Sequence, residues 1–509
     1  MNTEKVLKNG TVAFICSTIL ALAGFLLQRV MAQTLGQAYL GLNSVFTSII
    51  SFVSLAELGF STAVIYHMYA PLNRHDEEML AGLMKLYSQI YHIVAVTVLI
   101  IGLALMPFLQ YFLKNSSFPI RYSRLVFSLF VLNAVIGYFL SYKRSIFTAD
   151  QKMYFLNLVD LAGNSIRIFG GIAILKITGS YVQYLILWVF TTLLRNIVIY
   201  FAANRDYPYI AKKAEHGIDP KVKKEIFLNV RDIFIARISS LILEYGDSLI
   251  ISSFVSLNSA GLYSNYYLIL AGLRSMGTAV QQSIQPSLGN QVAKGNLDDV
   301  YRTIRQYLFI WFMIISFCCV SFLCLITPFV TQFWLSPQYE MNFACVAVCA
   351  LNLFLDFING PIWSLLSASG LFLKNRNISL LGASLNLGSS IVLVQKLGIM
   401  GDLLGNAIAQ TAQFILRTIL ICHDLMKRSS KTLFTDCGEY MGLFLVEGAL
   451  SYWCCSLIQN FGNLGNFGLK FLVCLLVPNG INCLVYFKTE RFKTSIAKLK
   501  NLRKTKAKV

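Results

Sequence analysis

Arg237, Glu244 and Asp247 stand close together within one long apolar run. At about 100° per residue in a helix, Arg237 and Glu244 fall within about 20° of each other. Asp247 lies one turn on and about 60° further round. Three ionisable groups on one stripe of an apolar helix cannot all reach the same membrane surface. Such a stripe either lines a water-filled path or pairs with charges on neighbouring helices, with Arg29 and Arg274 as candidate partners.

The other isolated charges inside apolar runs are Arg29, Glu57, Asp160, Arg167, Arg195, Arg274, Asp356 and Arg417. Each costs at least about 2.5 kcal/mol if left unpaired at the centre of a bilayer, so each faces protein or water. Arg29, Arg237, Arg274 and Arg417 come from four different runs. A guanidinium stays protonated and grips a phosphate through two parallel hydrogen bonds, so these four are the candidates for holding an anionic cargo. Glu57, Glu244, Asp247 and Asp356 are the candidates for a coupling cation or for salt bridges. Arg167, Arg195 and Asp160 lie near the ends of their runs, where snorkelling to the headgroups accounts for them at least as well as a site does.

The elements that carry these charges are about fourteen runs of roughly 20 apolar residues, each long enough to cross a bilayer as a helix. Of the 509 residues, 56% are hydrophobic and only 13% charged, against about 25% charged in soluble domains. Mean hydropathy is +0.62. This predicts an all-α integral membrane protein. The formal charge of +19 would suggest nucleic acid in a soluble chain. Here it concentrates in alternate loops and the tail, which fits positive-inside topology and anionic lipid rather than a nucleic-acid partner. Lys5, Lys8, Lys143, Arg144, Lys212, Lys213, Lys427 and Arg428 belong to the rich set, and Lys114, Arg121 and Lys176 to the poor one. Both termini are therefore expected in the cytoplasm, with an even number of spans. Pro71, Pro107, Pro119, Pro208, Pro286, Pro328 and Pro337 are read as span limits.

The long basic loop at 205–226 divides the chain. It predicts an N-terminal lobe of six helices over 1–204 and a C-terminal lobe of six over 227–424. Two more helices follow over 437–487, then a basic cytoplasmic tail over 488–509. Six is even, so both lobes enter the membrane from the same side, as in a parallel repeat. Gly41-Leu42-Asn43-Ser44 and Gly261-Leu262-Tyr263-Ser264 hint at that repeat, as do Ser61-Thr62-Ala63-Val64 and Gly277-Thr278-Ala279-Val280.

No Gly-x-x-x-x-Gly-Lys phosphate loop is present, so hydrolysis of ATP by this chain is not expected. Outer loops are short, leaving little material for the catalytic loop of a membrane glycosyltransferase or polymerase. The twelve cysteines fall mostly in apolar runs without histidine partners, so each reads as a small hydrophobe and no metal is expected. The five histidines do not cluster. The first apolar run, about 11–35, is too long for a signal peptide and reads as a retained helix. No cofactor and no catalytic residue are expected.

Several stretches resemble one family. Glu244-Tyr245-Gly246-Asp247-Ser248-Leu249-Ile250-Ile251-Ser252-Ser253 running into Ala260-Gly261-Leu262-Tyr263-Ser264 is similar to the seventh and eighth helices of polysaccharide flippases. Ala56-Glu57-Leu58-Gly59-Phe60-Ser61 resembles their second-helix acidic-Leu-Gly pattern. Pro286-Ser287-Leu288-Gly289-Asn290 resembles the end of their eighth helix. These are the Wzx-type repeat-unit flippases of the multidrug/oligosaccharidyl-lipid/polysaccharide exporter superfamily. The resemblance implies a MATE-like, V-shaped pair of lobes around a cationic cavity. It implies alternating access and a cargo of undecaprenyl-diphosphate-linked oligosaccharide for capsule, exopolysaccharide or O-antigen, in the bacterial cytoplasmic membrane. The implied partners are that lipid-linked oligosaccharide, membrane lipids, and the polymerase and glycosyltransferases of the same pathway. A cation-coupled drug exporter of the same superfamily is the first alternative, disfavoured by the arginines. A membrane glycosyltransferase or polymerase is the second, disfavoured by the short loops.

Overall fold

The computed structural model describes residues 3–54, 60–211 and 238–494. Among them it is helical throughout, with no strand. In chain order the helices are α1 (Thr3–Thr34), α2 (Gln37–Val53), α3 (Phe60–Arg74), α4 (Glu77–Leu105), the single turn α5 (Leu109–Phe112) and α6 (Ile120–Ser141). Then come the short α7 (Arg144–Ala149), α8 (Met153–Thr178) and α9 (Tyr181–Asp206). A helix described over 238–254 is α10. It is followed by α11 (Leu257–Ala293), α12 (Leu297–Pro328), α13 (Phe343–Ala368), α14 (Phe372–Leu397) and α15 (Ile399–Leu420). The last two are α16 (Lys431–Ser456) and α17 (Gly462–Tyr486).

Nine of the described helical segments are long and apolar enough to cross a bilayer. Local chemistry sets several starts. Asp76 accepts from Met79 N at 2.9 Å to open α4, and Asn342 accepts from Ala344 N at 2.9 Å to open α13. Gly179, with φ of 62°, closes α8 in the left-handed region. Four expected limits lie inside continuous helix, Pro107 within Glu77–Phe112, Pro328 within Leu297–Trp334, and Pro71 and Pro286 within α3 and α11. α3 runs through Pro71 to Arg74 and α11 runs through Pro286 to Ala293. A proline forfeits a single intrahelical bond, and both helices carry on past it.

α15 shows how polar residues enter such a fold. Asp402, Asn406, Gln413 and Arg417 are buried, while Ile408, Ile415 and Ile419 are exposed. The pattern is that of a surface helix turned inside out, as a helix with lipid outside and protein inside requires.

The chain packs as two compact units, Met1–Ser264 and Asn265–Val509. In the first, α1 lies along α8, α6 along α9, and α8 along α9. The α10–α11 turn is pinned by Lys114, whose Nζ donates to Phe254 O at 2.6 Å and whose carbonyl accepts from Leu257 N at 3.1 Å. The start of α11 then crosses α2 at two glycines. A Cβ on Gly41 would lie 2.1 Å from Leu257 O, and one on Gly261 would lie 2.1 Å from Gln37 O. Ser44 and Ser248 share a hydrogen bond of 2.8 Å nearby. In the second unit α12 packs with α13, α16 and α17, and α14 with α15.

Candidate functional site

Within the first unit, α2, α6, α7, α8 and α9 surround a cavity of about 540 Å³. Arg144, Arg167 and Arg195 reach its wall, with Asn133, Asn164 and Asn196 between them. Trp188 adds an aromatic face, and Thr47, Ser51 and Thr192 add hydroxyls.

Simple helical spacing puts these groups on common faces. Asp160, Asn164 and Arg167 fall at i, i+4 and i+7 of α8, and Trp188, Thr192, Arg195 and Asn196 at i, i+4, i+7 and i+8 of α9. Gly163 makes the crossing possible, since a Cβ there would lie 2.3 Å from Cγ and Cδ of Arg195. Asn196 Nδ2 donates to the carbonyls of Ile136 at 3.0 Å and Gly137 at 3.2 Å, tying α9 to α6.

One carboxylate serves two guanidiniums. Arg144 Nη2 pairs with Asp160 Oδ2, and Arg195 Nη1 lies 3.3 Å from Asp160 Oδ1. Arg167 Nη1 donates to Tyr184 Oη at 2.9 Å, and its guanidinium sits 5.3 Å from the centre of the Trp188 ring. Three cations face one anion, so the cavity stays cationic. Guanidinium forks suit phosphate, amides and hydroxyls suit sugar hydroxyls, and an indole face suits the apolar face of a sugar ring.

The residues singled out from the sequence are distributed differently. Glu57 and Arg237 lie outside the described residues. Arg29 is exposed on α1, and Glu244 is exposed on α10. Asp247 is buried and accepts from Tyr263 Oη at 2.8 Å. In the second unit the fold does bring three of them together. Arg274 Nε of α11 lies 3.4 Å from Asp356 Oδ2 of α13. Arg417 of α15 donates to Asn375 Oδ1 at 3.0 Å and Ser379 Oγ at 3.2 Å, within the electrostatic reach of Asp356.

Arg167 and Arg195, for which snorkelling was an equal account, line the cavity, and Asp160 pairs with Arg144 and Arg195 behind it. Arg144 was counted only as a loop charge. The polar spacing along α8 and α9 was the signal available for them. The fold also gathers Cys324, Cys455 and Cys474, with their sulfurs within 4.8 Å of one another. These are soft donors from three helices, and no sequence spacing connects them.

A family model described as "Polysaccharide biosynthesis protein" matches residues 6–292. No curated protein matches the chain. Among solved structures, the lipid II flippase MurJ in an inward closed conformation superposes with a TM-score of 0.70 at 14% identity, covering 94% of this chain and 99% of that one. An inward-facing multidrug resistance MATE family transporter of the MOP superfamily gives 0.65 at 15% identity, covering 82% and 99%. An outward-facing MATE transporter gives 0.54 at 13% identity, covering 81% and 93%. At these identities the likeness is one of fold, that of an all-α, multi-pass membrane transporter.

Proposed function

Since the chain belongs to the polysaccharide biosynthesis protein family, we propose that it is a flippase for an undecaprenyl-diphosphate-linked oligosaccharide. On this reading it moves repeat units outward across the bacterial cytoplasmic membrane by alternating access, with both termini in the cytoplasm and no covalent chemistry. Its two six-helix lobes act as the moving bodies, and the pathway's glycosyltransferases and polymerase supply and consume the cargo.

The observation that supports this most is the arginine-lined cavity of the first unit. Arg144, Arg167 and Arg195 against the single Asp160 favour an anion, and a diphosphate matches guanidinium geometry. Trp188 and the three asparagines offer the stacking and hydrogen bonding that a neighbouring sugar needs. Arg274 and Arg417 are the corresponding candidates in the second unit. A cation-coupled drug exporter is the runner-up because MATE transporters share the fold. A cationic drug would meet three guanidiniums in this cavity, and repulsion between like charges disfavours it.

The test is flipping by purified protein in proteoliposomes, with a labelled lipid-diphosphate oligosaccharide and a cationic dye as competing cargoes. The expected outcome is transport of the first and not of the second. Transport of the dye alone would establish the drug-exporter reading, and glycosyl transfer by the purified chain would establish the enzymatic one.

A further inference from the structure

In the second unit, α12, α16 and α17 share a seam that carries polar layers at three depths. At one end Asp436 binds Arg305 Nε and Arg491 Nη2, each at 2.7 Å. Eleven residues further along both α12 and α16, about 16 Å by helical rise, come Ser316 and Glu447. Eight residues beyond those, about 12 Å, come Cys324 and Cys455 of the thiol group.

The middle layer is unsatisfied. Glu447 is fully buried, and among the described residues neither carboxyl oxygen makes a hydrogen bond of good geometry, with only the Ser316 hydroxyl near enough to interact. Ser316 faces it from α12, and Asn482 Nδ2 of α17 donates to that same Ser316 Oγ at 3.0 Å. Asn482 Oδ1 and, one turn along α16, Ser451 Oγ are buried and equally without partners. α13 contributes Phe354, stacked on Phe444. Among the described residues no charged group is set against Glu447; the other titratable groups along the seam are the Arg305–Asp436–Arg491 triad, Tyr440, and Tyr486 with Glu439 beside it toward one end, and the thiols at the other.

A bare carboxylate held this way is far too costly to persist, and such a group neutralises instead. A proton meets the need with what is present. A carboxylic acid gains one O–H donor, and Asn482 Oδ1, buried in the same layer, is an acceptor still lacking one. We propose that Glu447 is a proton-binding site whose loading and release are coupled to cargo movement. This extends the flippase reading and rests on it for the cargo. Tyr486, one turn from Asn482, and Tyr440, two turns from Glu447, place hydroxyls along the seam toward the triad. Arg491 Nη1 donates to Tyr440 Oη at 3.2 Å, at the edge of a 790 Å³ cavity lined by Arg305 and Arg491. On this proposal the proton leaves past these hydroxyls toward the end of the seam expected in the cytoplasm.

The test uses full-length protein and the near-isosteric Glu447→Gln, which mimics the neutral acid. In the first arm, the infrared spectrum of wild type should contain a carboxylic-acid carbonyl band that Glu447→Gln lacks. In the second arm, proteoliposomes with an imposed pH gradient should flip lipid-diphosphate oligosaccharide faster in wild type. Glu447→Gln should run at one rate with or without the gradient, and Glu447→Asp should regain part of the stimulation. A missing band overturns the site. A band with undiminished gradient stimulation in Glu447→Gln overturns the coupling and leaves a neutral structural acid. Stimulation by a sodium gradient in place of a pH gradient, lost in Glu447→Gln, overturns the proton as the ligand. A wild type that moves no cargo at all defeats the flippase reading and with it the coupling, whereas the infrared arm still judges proton binding by itself.

Discussion

Gly41 and Gly261 meet backbone to backbone where α2 crosses the start of α11, and each occupies the same place in a Gly-Leu-x-Ser sequence. A side chain on either would run into a carbonyl oxygen of the opposite helix, which cannot rotate away. Small residues at such crossings let membrane helices approach closely. Gly41→Ala and Gly261→Ala should each destabilise the protein by about 1–3 kcal/mol, the usual cost of overpacking. Gly272→Ala has nothing within 4 Å of its new methyl and is the control. Melting in detergent is the measurement, and equal midpoints for Gly41→Ala and Gly272→Ala would remove the close approach.

Loss of a cavity guanidinium should weaken cargo binding rather than folding. Arg144→Ala, Arg167→Ala and Arg195→Ala each remove charge-assisted hydrogen bonds of about 1.5–3 kcal/mol, roughly tenfold to a hundredfold in affinity. Lysine at the same positions should restore part of the loss, because a point charge lacks the two-pronged fork. Export by cells whose membranes contain normal amounts of each variant is the readout. Three alanine variants that export like wild type would exclude this cavity as the phosphate site.

The Arg274–Asp356 pair separates structure from transport. Both side chains are partly exposed, at 27% and 44%, and pairs of this kind contribute about 0–1 kcal/mol to stability. Asp356→Asn should therefore melt within about 1 kcal/mol of wild type yet change transport. The double variant Arg274→Asp with Asp356→Arg tests for a simple tie between helices. Full activity in that double variant would make the pair structural.

Membrane voltage should bias the direction of flipping. A diphosphate with about two negative charges leaving a negative cytoplasm gains about 4.6 kcal/mol per 100 mV. Potassium-diffusion potentials of opposite sign, imposed on proteoliposomes, should give unequal rates. Equal rates would mean electroneutral movement, with a cation travelling the other way.

The spans were legible because a bilayer demands a run of apolar residues that few other settings require. The site was legible only in kind. Of the four arginines chosen for their place inside a run, Arg29 is exposed on α1 and Arg237 lies outside the described residues. Arg167 and Arg195 were discounted because position along a helix said nothing of Asp160 holding one of them, or of Arg144 arriving from a neighbouring turn. Arg274, Asp356 and Arg417 do assemble, from helices far apart in the chain. Pro71 and Pro286 failed as boundaries because a helix can surrender one hydrogen bond where others hold it. Glu447 stands between Leu445-Val446 and Gly448-Ala449-Leu450, an apolar setting that marks it as an acid inside a span, and only the packing of α12 and α17 shows how fully it is enclosed.

On the proposed flippase reading, Asp160 sets how firmly a diphosphate cargo is held. Arg144 and Arg195 already have a negative partner, so an arriving phosphate substitutes for a carboxylate and does not meet bare charge. The net affinity is then a small difference between two similar attractions. On departure the carboxylate is waiting to take the guanidiniums back. A carrier must release what it captures on every cycle, and a resident competitor of the cargo's own charge provides for that release.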